Sequence, residues 1–170
     1  MLPVVIGIMG IAITVALHAF TTSFLLVGLR WYARRRPDRH LGVVARPLIL
    51  GITATVLASK HYLDIALYAV AYWFFENDSQ LTDYESALYF SSITYTTLGY
   101  GDIVLTDGWR LICGIQAMNG TLLFGWSTAL LFFLVQKIWF AGISPETKIQ
   151  FKQHAGEGLT PSVASAKDGS

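Results

Sequence analysis

Residues 81–110 read LTDYESALYFSSITYTTLGYGDIVLTDGWR, and this stretch decides the fold of the chain. Thr82 and, three residues later, Glu85 match a capping box, which predicts a helix that begins near Asp83 and ends near Thr96. Such a helix is shorter than the about 20 residues that a membrane-spanning helix needs. A backbone that stops being helical inside the bilayer is tolerated only where it lines water or is buried in protein. The stretch therefore predicts a re-entrant helix followed by a loop that lines a pore.

The loop after this helix has the composition of a cation-binding backbone. It reads Thr97, Leu98, Gly99, Tyr100, Gly101 and Asp102. The two glycines allow the backbone to alternate between left-handed and right-handed conformations, so successive carbonyl oxygens can point to the same side. Several such loops around one axis can replace the hydration shell of a cation. The negative carboxyl end of the preceding helix also favours a cation there.

Three apolar segments surround this stretch and are long enough to cross a bilayer: residues 2–29, 48–75 and 111–135. The composition agrees, because 54% of the residues are hydrophobic, only 14% are charged and the mean hydropathy is +0.50. These values are typical of a membrane protein and not of a soluble domain. We expect an all-α integral membrane fold with three transmembrane helices, a re-entrant pore helix and a loop. The first segment has no basic region before it and is expected to be a retained anchor.

The order of these features predicts six regions along the chain. They are an N-terminal extra transmembrane helix at 1–29, an Arg-rich loop at 30–46, an outer helix at 47–75, a turret with pore helix and loop at 76–110, an inner helix at 111–140 and a polar, disordered tail at 141–170. Residues 30–46 hold six of the twelve basic residues, whereas acidic residues concentrate in 76–110. The positive-inside rule therefore places the loop 30–46 and the carboxyl terminus in the cytoplasm and the amino terminus outside.

Several function classes are disfavoured by composition. A net charge of +1 argues against a nucleic-acid partner, since such proteins carry a basic excess on one face. The single cysteine, Cys113, has no second cysteine for a disulfide and no companions for a metal cluster. No nucleophile or acid–base pair stands out, so we expect neither an enzyme nor a cofactor.

The segment TTLGYGD, residues 96–102, resembles the selectivity filter of potassium channels, whose usual form is TVGYGD or TIGYGD. The resemblance covers about residues 48–136 and implies the two-helix pore module of that family. It implies a homotetramer whose four filters meet on a fourfold axis. By this resemblance the ion-binding filter consists of Thr97, Leu98, Gly99, Tyr100 and Gly101. The first four of these would hold K⁺ as the permeant ion, and Asp102 would stand at the outer mouth.

The resemblance also assigns supporting residues. Filter support is expected from Tyr89, Phe90, Ile93 and Thr96. Several relatives have tryptophans at the positions of Tyr89 and Phe90, and some bacterial members have a glutamate at the position of Ile93. In the inner helix, Gly120 and Gly125 are candidates for a gating hinge. These glycines equally fit close helix packing, and the two interpretations stay open.

Four ionisable residues lie inside the first two apolar segments: His18, Lys60, His61 and Asp64. His18 shares its helix face with three threonines: Thr14, Thr21 and Thr22. Ionisable residues in a bilayer are costly and are usually functional. We expect an intramembrane polar network in which Lys60 pairs with Asp64 and the first helix packs on the second. Its histidines are hypothesised to make the contact sensitive to pH, while a purely structural network is the alternative.

The sequence thus predicts a potassium-selective channel that conducts passively across a membrane. The expected location is a bacterial plasma membrane, and the expected partners are further copies of the chain, K⁺ and membrane lipids. Two alternatives remain at this stage. One is a weakly selective cation channel, since the filter surroundings depart from the usual pattern. The other is a non-conducting accessory subunit whose filter serves only assembly.

Overall fold

The structure is a computed structural model that describes residues 1–35, 44–75, 81–105 and 108–140. These ranges contain four helices and no strand: α1 Leu2–Arg34, α2 Ala45–Phe75, α3 Tyr84–Tyr95 and α4 Arg110–Phe140. Three of them, α1, α2 and α4, are long and apolar enough to cross a membrane. The predicted all-helical membrane fold with three spans is therefore confirmed. The predicted tail at 141–170 and residues 36–43 of the Arg-rich loop lie outside the described residues.

Helix α3 begins with a different cap from the one that the sequence predicted. The side chain of Asp83 accepts a hydrogen bond from the backbone N–H of Ser86 at 2.7 Å, so Asp83 is the N-cap residue. The expected cap at Thr82 with Glu85 is wrong by one residue. A short carboxylate is among the strongest caps, and its charge suits the positive end of the helix. The hydrogen bonds from Ser86 lower the pKa of Asp83.

Buried hydrogen bonds hold α3 against α2 and α4. The amide Nε2 of Gln116 on α4 donates to the hydroxyl of Ser91 at 2.7 Å and to its carbonyl at 3.1 Å. The Ser91 hydroxyl donates in turn to the carbonyl of Ile65 on α2 at 2.7 Å. The Tyr72 hydroxyl donates to Oε1 of Gln116 at 2.7 Å. Such fully partnered polar groups fix a helix more uniquely than apolar contact alone.

Helix α1 packs on both α2 and α4 through small residues. A Cβ atom on Gly10 would lie 2.8 Å from the Tyr68 hydroxyl of α2, and one on Gly7 would lie 3.0 Å from the Ile115 side chain of α4. Small residues of this kind let membrane helices approach closely. The other side of α1 leaves large apolar side chains exposed, as lipid contact requires. The buried polar residues of α1 consequently face α2 and α4.

Candidate functional site

The loop after α3 alternates in backbone handedness at every second residue. Thr97, Gly99 and Gly101 have φ angles of 61°, 52° and 79°. The glycines occupy this left-handed region without steric cost, whereas a residue with a Cβ, such as Thr97, is disfavoured there by about 1–2 kcal/mol. The alternation is the one that aligns successive carbonyl oxygens on one side of the backbone. The alternation begins at Thr97, two residues before the first of the two glycines from which it was predicted.

Hydrogen bonds from the end of α3 hold the loop in this conformation. The N–H of Thr97 donates to the carbonyl of Thr94 at 3.0 Å, and the N–H of Gly99 donates to the carbonyl of Ile93 at 3.1 Å. The Thr96 hydroxyl donates to the carbonyl of Ser92 at 2.7 Å. Of the predicted supporting residues, Ile93 thus accepts from the loop through its carbonyl and has a buried side chain. Thr96 bonds back to Ser92 of α3.

At the outer end of the loop, the two aromatic positions have separate contacts. The Tyr89 hydroxyl donates to Oδ2 of Asp102 at 2.7 Å. This hydrogen bond lowers the pKa of Asp102 and raises the pKa of Tyr89. Phe90 is buried and packs edge-on against Tyr72, with ring centroids 5.1 Å apart. Tyr89 therefore ties Asp102, after the last glycine of the loop, to α3, while Phe90 anchors α3 to α2.

A single chain leaves the loop uncovered on one side. Leu98 is 56% exposed and Tyr100 is 69% exposed, although both are large and apolar or aromatic. A cavity of about 420 Å³ separates the loop from α4, and Thr97, Gly99 and Ala117 are among its lining residues. One loop presents oxygen atoms to a cation from one side only. The geometry of one chain is therefore incomplete as a cation site.

Gly120 lies where α4 crosses the carboxyl end of α3. A Cβ atom at Gly120 would overlap the carbonyl oxygen of Tyr95 and lie 3.1 Å from its carbonyl carbon. A Cβ atom at Gly125 would meet nothing within 4 Å. The close-packing interpretation therefore holds for Gly120. A hinge at Gly120 or Gly125 stays a prediction.

We expect Gly120→Ala to destabilise the protein by about 1–3 kcal/mol, because the added methyl group must displace the Tyr95 backbone. Gly125→Ala is the matched control on the same helix, and we expect it to be neutral or stabilising because alanine favours helix. Thermal unfolding in detergent, followed by circular dichroism, measures both effects. Equal stability of Gly120→Ala and the unchanged protein would contradict the packing interpretation.

The predicted intramembrane residues meet around a buried ion pair. The Lys60 Nζ atom lies 2.7 Å from Oδ1 and 2.6 Å from Oδ2 of Asp64, one helical turn away. The same Nζ atom donates to the carbonyl of Thr14 on α1 at 3.2 Å. Side-chain exposure is 4% for Lys60 and 0% for Asp64. The pair that the sequence predicted is present, and α1 completes its hydrogen bonding.

A chain of hydrogen bonds runs from this ion pair to His18. The Tyr95 hydroxyl donates to Oδ2 of Asp64 at 3.1 Å and lies 3.0 Å from Nδ1 of His61. The Nε2 atom of His61 lies 2.9 Å from the Ser127 hydroxyl, which lies 3.4 Å from Nε2 of His18. The chain joins all four helices, because His18 lies on α1, His61 on α2, Tyr95 on α3 and Ser127 on α4.

Sequence reasoning missed several buried polar residues that bond between the helices. Gln116, Asn119 and Ser127 share one face of α4, so their spacing within an apolar helix was a usable signal. Asn119 donates to the Thr14 hydroxyl at 2.8 Å. Tyr95 gave no comparable signal, since tyrosine is also common at membrane interfaces. Thr21, which was expected on the polar face of α1, instead donates its hydroxyl to the Leu17 carbonyl of its own helix.

Comparisons with known proteins agree with the geometry of this region. Residues 61–137, which include α3, the loop and most of α4, match a family model described as an ion channel. Potassium channel subfamily K member 4 of Mus musculus is 37% identical over 89 residues, which are 52% of this chain and 22% of the mouse protein. This chain thus spans about a fifth of the length of that relative. No solved structure matches the chain.

Both matches are to channels and not to enzymes. Helix α1 lies outside the segment that the family model covers. The segment from 61 to 137 holds the alternating backbone of the loop and the helices that support it. This part of the chain is therefore similar to ion channels, and the relative that it resembles in mouse is a potassium channel.

Proposed function

We propose that the protein is a potassium-selective channel that conducts K⁺ passively through a filter built from four copies of the loop. The observation that carries this proposal is the alternating backbone at Thr97, Gly99 and Gly101 within the segment TTLGYGD. An alternating backbone turns its carbonyl oxygens to one side, and rings of such oxygens replace the hydration shell of a potassium ion. The segment therefore provides ligands without using any charged side chain.

The proposed ion ligands are the carbonyl oxygens of Thr97, Leu98, Gly99 and Tyr100. The replacement of the usual Val or Ile by Leu98 leaves this ligand set intact, because the ligand at that position is the backbone. Several sites in series keep one ion from being trapped, so binding can be strong while conduction stays fast. The carboxyl end of α3 lies immediately before the loop and adds a partial negative charge at its inner end.

The exposed surfaces of the single chain support a tetramer. The uncovered side chains of Leu98 and Tyr100 and the open cavity beside the loop suit contact with a second copy. A cation surrounded on all sides needs several loops, and one loop per chain makes a closed ring of identical subunits the simplest assembly. By the family resemblance, that ring has four members.

Charge at the two ends of the helices supports the proposed orientation. Arg30, Arg34 and Arg35 lie at the end of α1, and Arg46 lies at the start of α2. Asp102 lies at the outer end of the loop. In the sequence, α2 lies between Asp102 and these arginines. The positive-inside rule then places the arginines in the cytoplasm and the amino terminus outside. We propose a bacterial plasma membrane as the location.

Ion flux in liposomes tests the proposal. The purified full chain is reconstituted with a potassium gradient, with a matched sodium gradient as the control and with barium as a blocker. We expect potassium flux that barium blocks, with little sodium flux. Equal flux of both ions would instead mean a weakly selective cation channel. Absence of flux at several pH values would favour a non-conducting accessory subunit and would overturn the proposal.

The assembly has an independent test. Native mass spectrometry of the detergent-solubilised protein is expected to show a mass of about four times the 18.8 kDa of one chain. A monomer or dimer at flux-competent concentrations would contradict the tetramer. A tetramer that forms without another protein would also contradict an obligate accessory role.

A further inference from the structure

The direction of each hydrogen bond in the chain from Asp64 to His18 follows from the chemistry of its ends. An ionised Asp64 accepts only, so the Tyr95 hydroxyl donates to it at 3.1 Å. The Tyr95 oxygen must then accept from Nδ1–H of His61 at 3.0 Å. A neutral histidine carries one proton, so Nε2 of His61 is an acceptor and the Ser127 hydroxyl donates to it at 2.9 Å. The Ser127 oxygen is left to accept from Nε2–H of His18.

The last nitrogen in this series of hydrogen bonds, Nδ1 of His18, has no hydrogen-bond partner among the described residues. Once Nε2 of His18 carries the proton, Nδ1 is a bare acceptor, and Nδ1 is buried with no hydrogen-bond partner among the described residues. The His18 side chain is 0% exposed. The lone pair of Nδ1 is therefore not engaged in a hydrogen bond, and a ring nitrogen with a free lone pair can bind a proton. The chain therefore ends in a vacant proton-accepting atom.

We propose that Nδ1 of His18 is a proton-binding site through which α1 controls the inner end of the filter. The inference rests on the proposed channel function, and it adds a ligand, the proton, and a role for the helix that the family match does not cover. The link to the filter is Tyr95. This tyrosine is the last residue of α3, its carbonyl packs on Gly120, and the first residue of the ion-binding filter, Thr97, follows two residues later. Tyr95 is a positioning residue in this arrangement.

The groups that face His18 determine the effect of the proton. Helix α2 contributes three charged or titratable side chains near it, Lys60, His61 and Asp64, with Tyr68 further along the same buried face, and α3 contributes Tyr95. The described contacts of α4 are Ser127 and Trp126, which do not titrate in this range. The rings of His18 and His61 are 5.5 Å apart. A proton on His18 therefore adds positive charge next to Lys60 and His61, where Asp64 is the one anion in the group.

Protons can also be transferred between neighbouring groups of this series of hydrogen bonds, from His18 to Asp64. A proton binds to Nδ1 of His18, and the Nε2 proton moves to the Ser127 oxygen as the Ser127 proton moves to Nε2 of His61. The Nδ1 proton of His61 then moves to the Tyr95 oxygen, and the Tyr95 proton moves to Asp64. Every intermediate member gains one proton and loses one. The net result is a neutral Asp64 that no longer balances the charge of Lys60.

Both outcomes weaken the hydrogen bond that anchors Tyr95. A charged His18 repels Lys60, and a neutral Asp64 is no longer an anionic acceptor for the Tyr95 hydroxyl. We therefore expect potassium flux to fall about tenfold on acidification, which lies within the usual range of coupling between two sites. The range from about pH 8 to about pH 4 spans the ordinary pKa of histidine and is the range to measure. The direction of the change in flux and its assignment to His18 are both testable.

The decisive variant is His18→Gln, tested in liposomes of the full chain. A glutamine amide nitrogen can occupy the position of Nε2 and still donate to Ser127, but it offers no titratable atom. We expect His18→Gln to conduct at neutral pH and to lose the acid-induced fall in flux. Tyr95→Phe keeps the ring packing against Phe124, with centroids at 5.5 Å, and is also expected to lose the fall because the chain is cut. His40→Gln and His154→Gln are control variants outside the described residues, and we expect the fall to remain.

The outcomes separate this inference from the channel proposal. Barium-sensitive potassium flux that does not change with pH, or an unchanged pH profile in His18→Gln, overturns the inference and leaves the channel intact. Absence of potassium flux at every pH overturns the channel proposal itself. Loss of the pH response in both His40→Gln and His18→Gln would also overturn the assignment to His18.

A spectroscopic measurement on the unchanged protein keeps the inference testable if a variant fails to fold. Nitrogen-15 NMR of histidine-labelled protein in lipid distinguishes a ring nitrogen that carries a proton from one that does not. At neutral pH we expect the proton of His61 on Nδ1 and that of His18 on Nε2, and acidification should add a proton to Nδ1 of His18. A His61 ring protonated on Nε2 alone would reverse the chain and overturn the inference.

Discussion

Gly99→Ala is expected to abolish potassium flux while the tetramer still assembles. Gly99 has a φ of 52°, and its N–H donates to the Ile93 carbonyl at 3.1 Å. A Cβ atom in this left-handed region costs about 1–2 kcal/mol, and the cost arises in every subunit of the ring. Rotation of the neighbouring peptides relieves it. That rotation takes carbonyl oxygens out of the column, so the ion meets an incomplete shell.

The measurement is potassium flux in liposomes together with native mass spectrometry of the same preparation. Gly51→Ala is the matched control, because Gly51 lies in α2 with nothing within 4 Å of a Cβ atom and its φ is not left-handed. We expect this control to conduct like the unchanged protein. Wild-type flux through the Gly99→Ala tetramer would show that the alternating backbone is not what binds the ion.

Removal of one member of the Lys60–Asp64 pair is expected to cost about 3–5 kcal/mol of folding free energy, because the other charge stays buried without its partner. Asp64→Leu also takes away the acceptor of the Tyr95 hydroxyl. Lys60→Met leaves a carboxylate with one remaining donor, Tyr95, among the described contacts. Each single variant is therefore expected to be much less stable than the unchanged protein.

The double variant Lys60→Met with Asp64→Leu is expected to cost less than either single variant. Replacing a whole buried ion pair by apolar side chains of similar volume is often neutral, whereas breaking it is not. Unfolding in detergent, followed by circular dichroism, gives the four stabilities and the coupling energy of the pair. A double variant whose loss equals the sum of the two single losses would mean that the two charges act independently.

The spans and the pore helix were predictable because their signals are local. Length and apolarity alone define α1, α2 and α4, and the short helix expected at about residues 83–96 is observed as Tyr84–Tyr95. Boundaries differed where polar residues extend a helix beyond its apolar part. Helix α1 continues to Arg34, since arginine is a good helix former whose charge suits the carboxyl end.

The site was predictable where backbone chemistry or helix spacing determines it. Gly99 and Gly101 predict the alternating loop, and the spacing of four residues places Lys60 beside Asp64. The roles of Tyr95 and Ser127 depend on contacts between residues far apart along the chain, such as Ser127 with His61. Such contacts follow from tertiary packing, which local pattern does not encode.

The buried ion pair has a consequence for the biogenesis of the protein. Lys60 and Asp64 lie one turn apart on the same helix, so they can pair as soon as α2 becomes helical. A segment that enters the bilayer with a neutral pair avoids much of the cost of inserting two separate charges. The insertion of α2 thus does not have to wait for α1 or α4. Helix α1 then adds one acceptor, the Thr14 carbonyl, and α3 adds one donor, the Tyr95 hydroxyl.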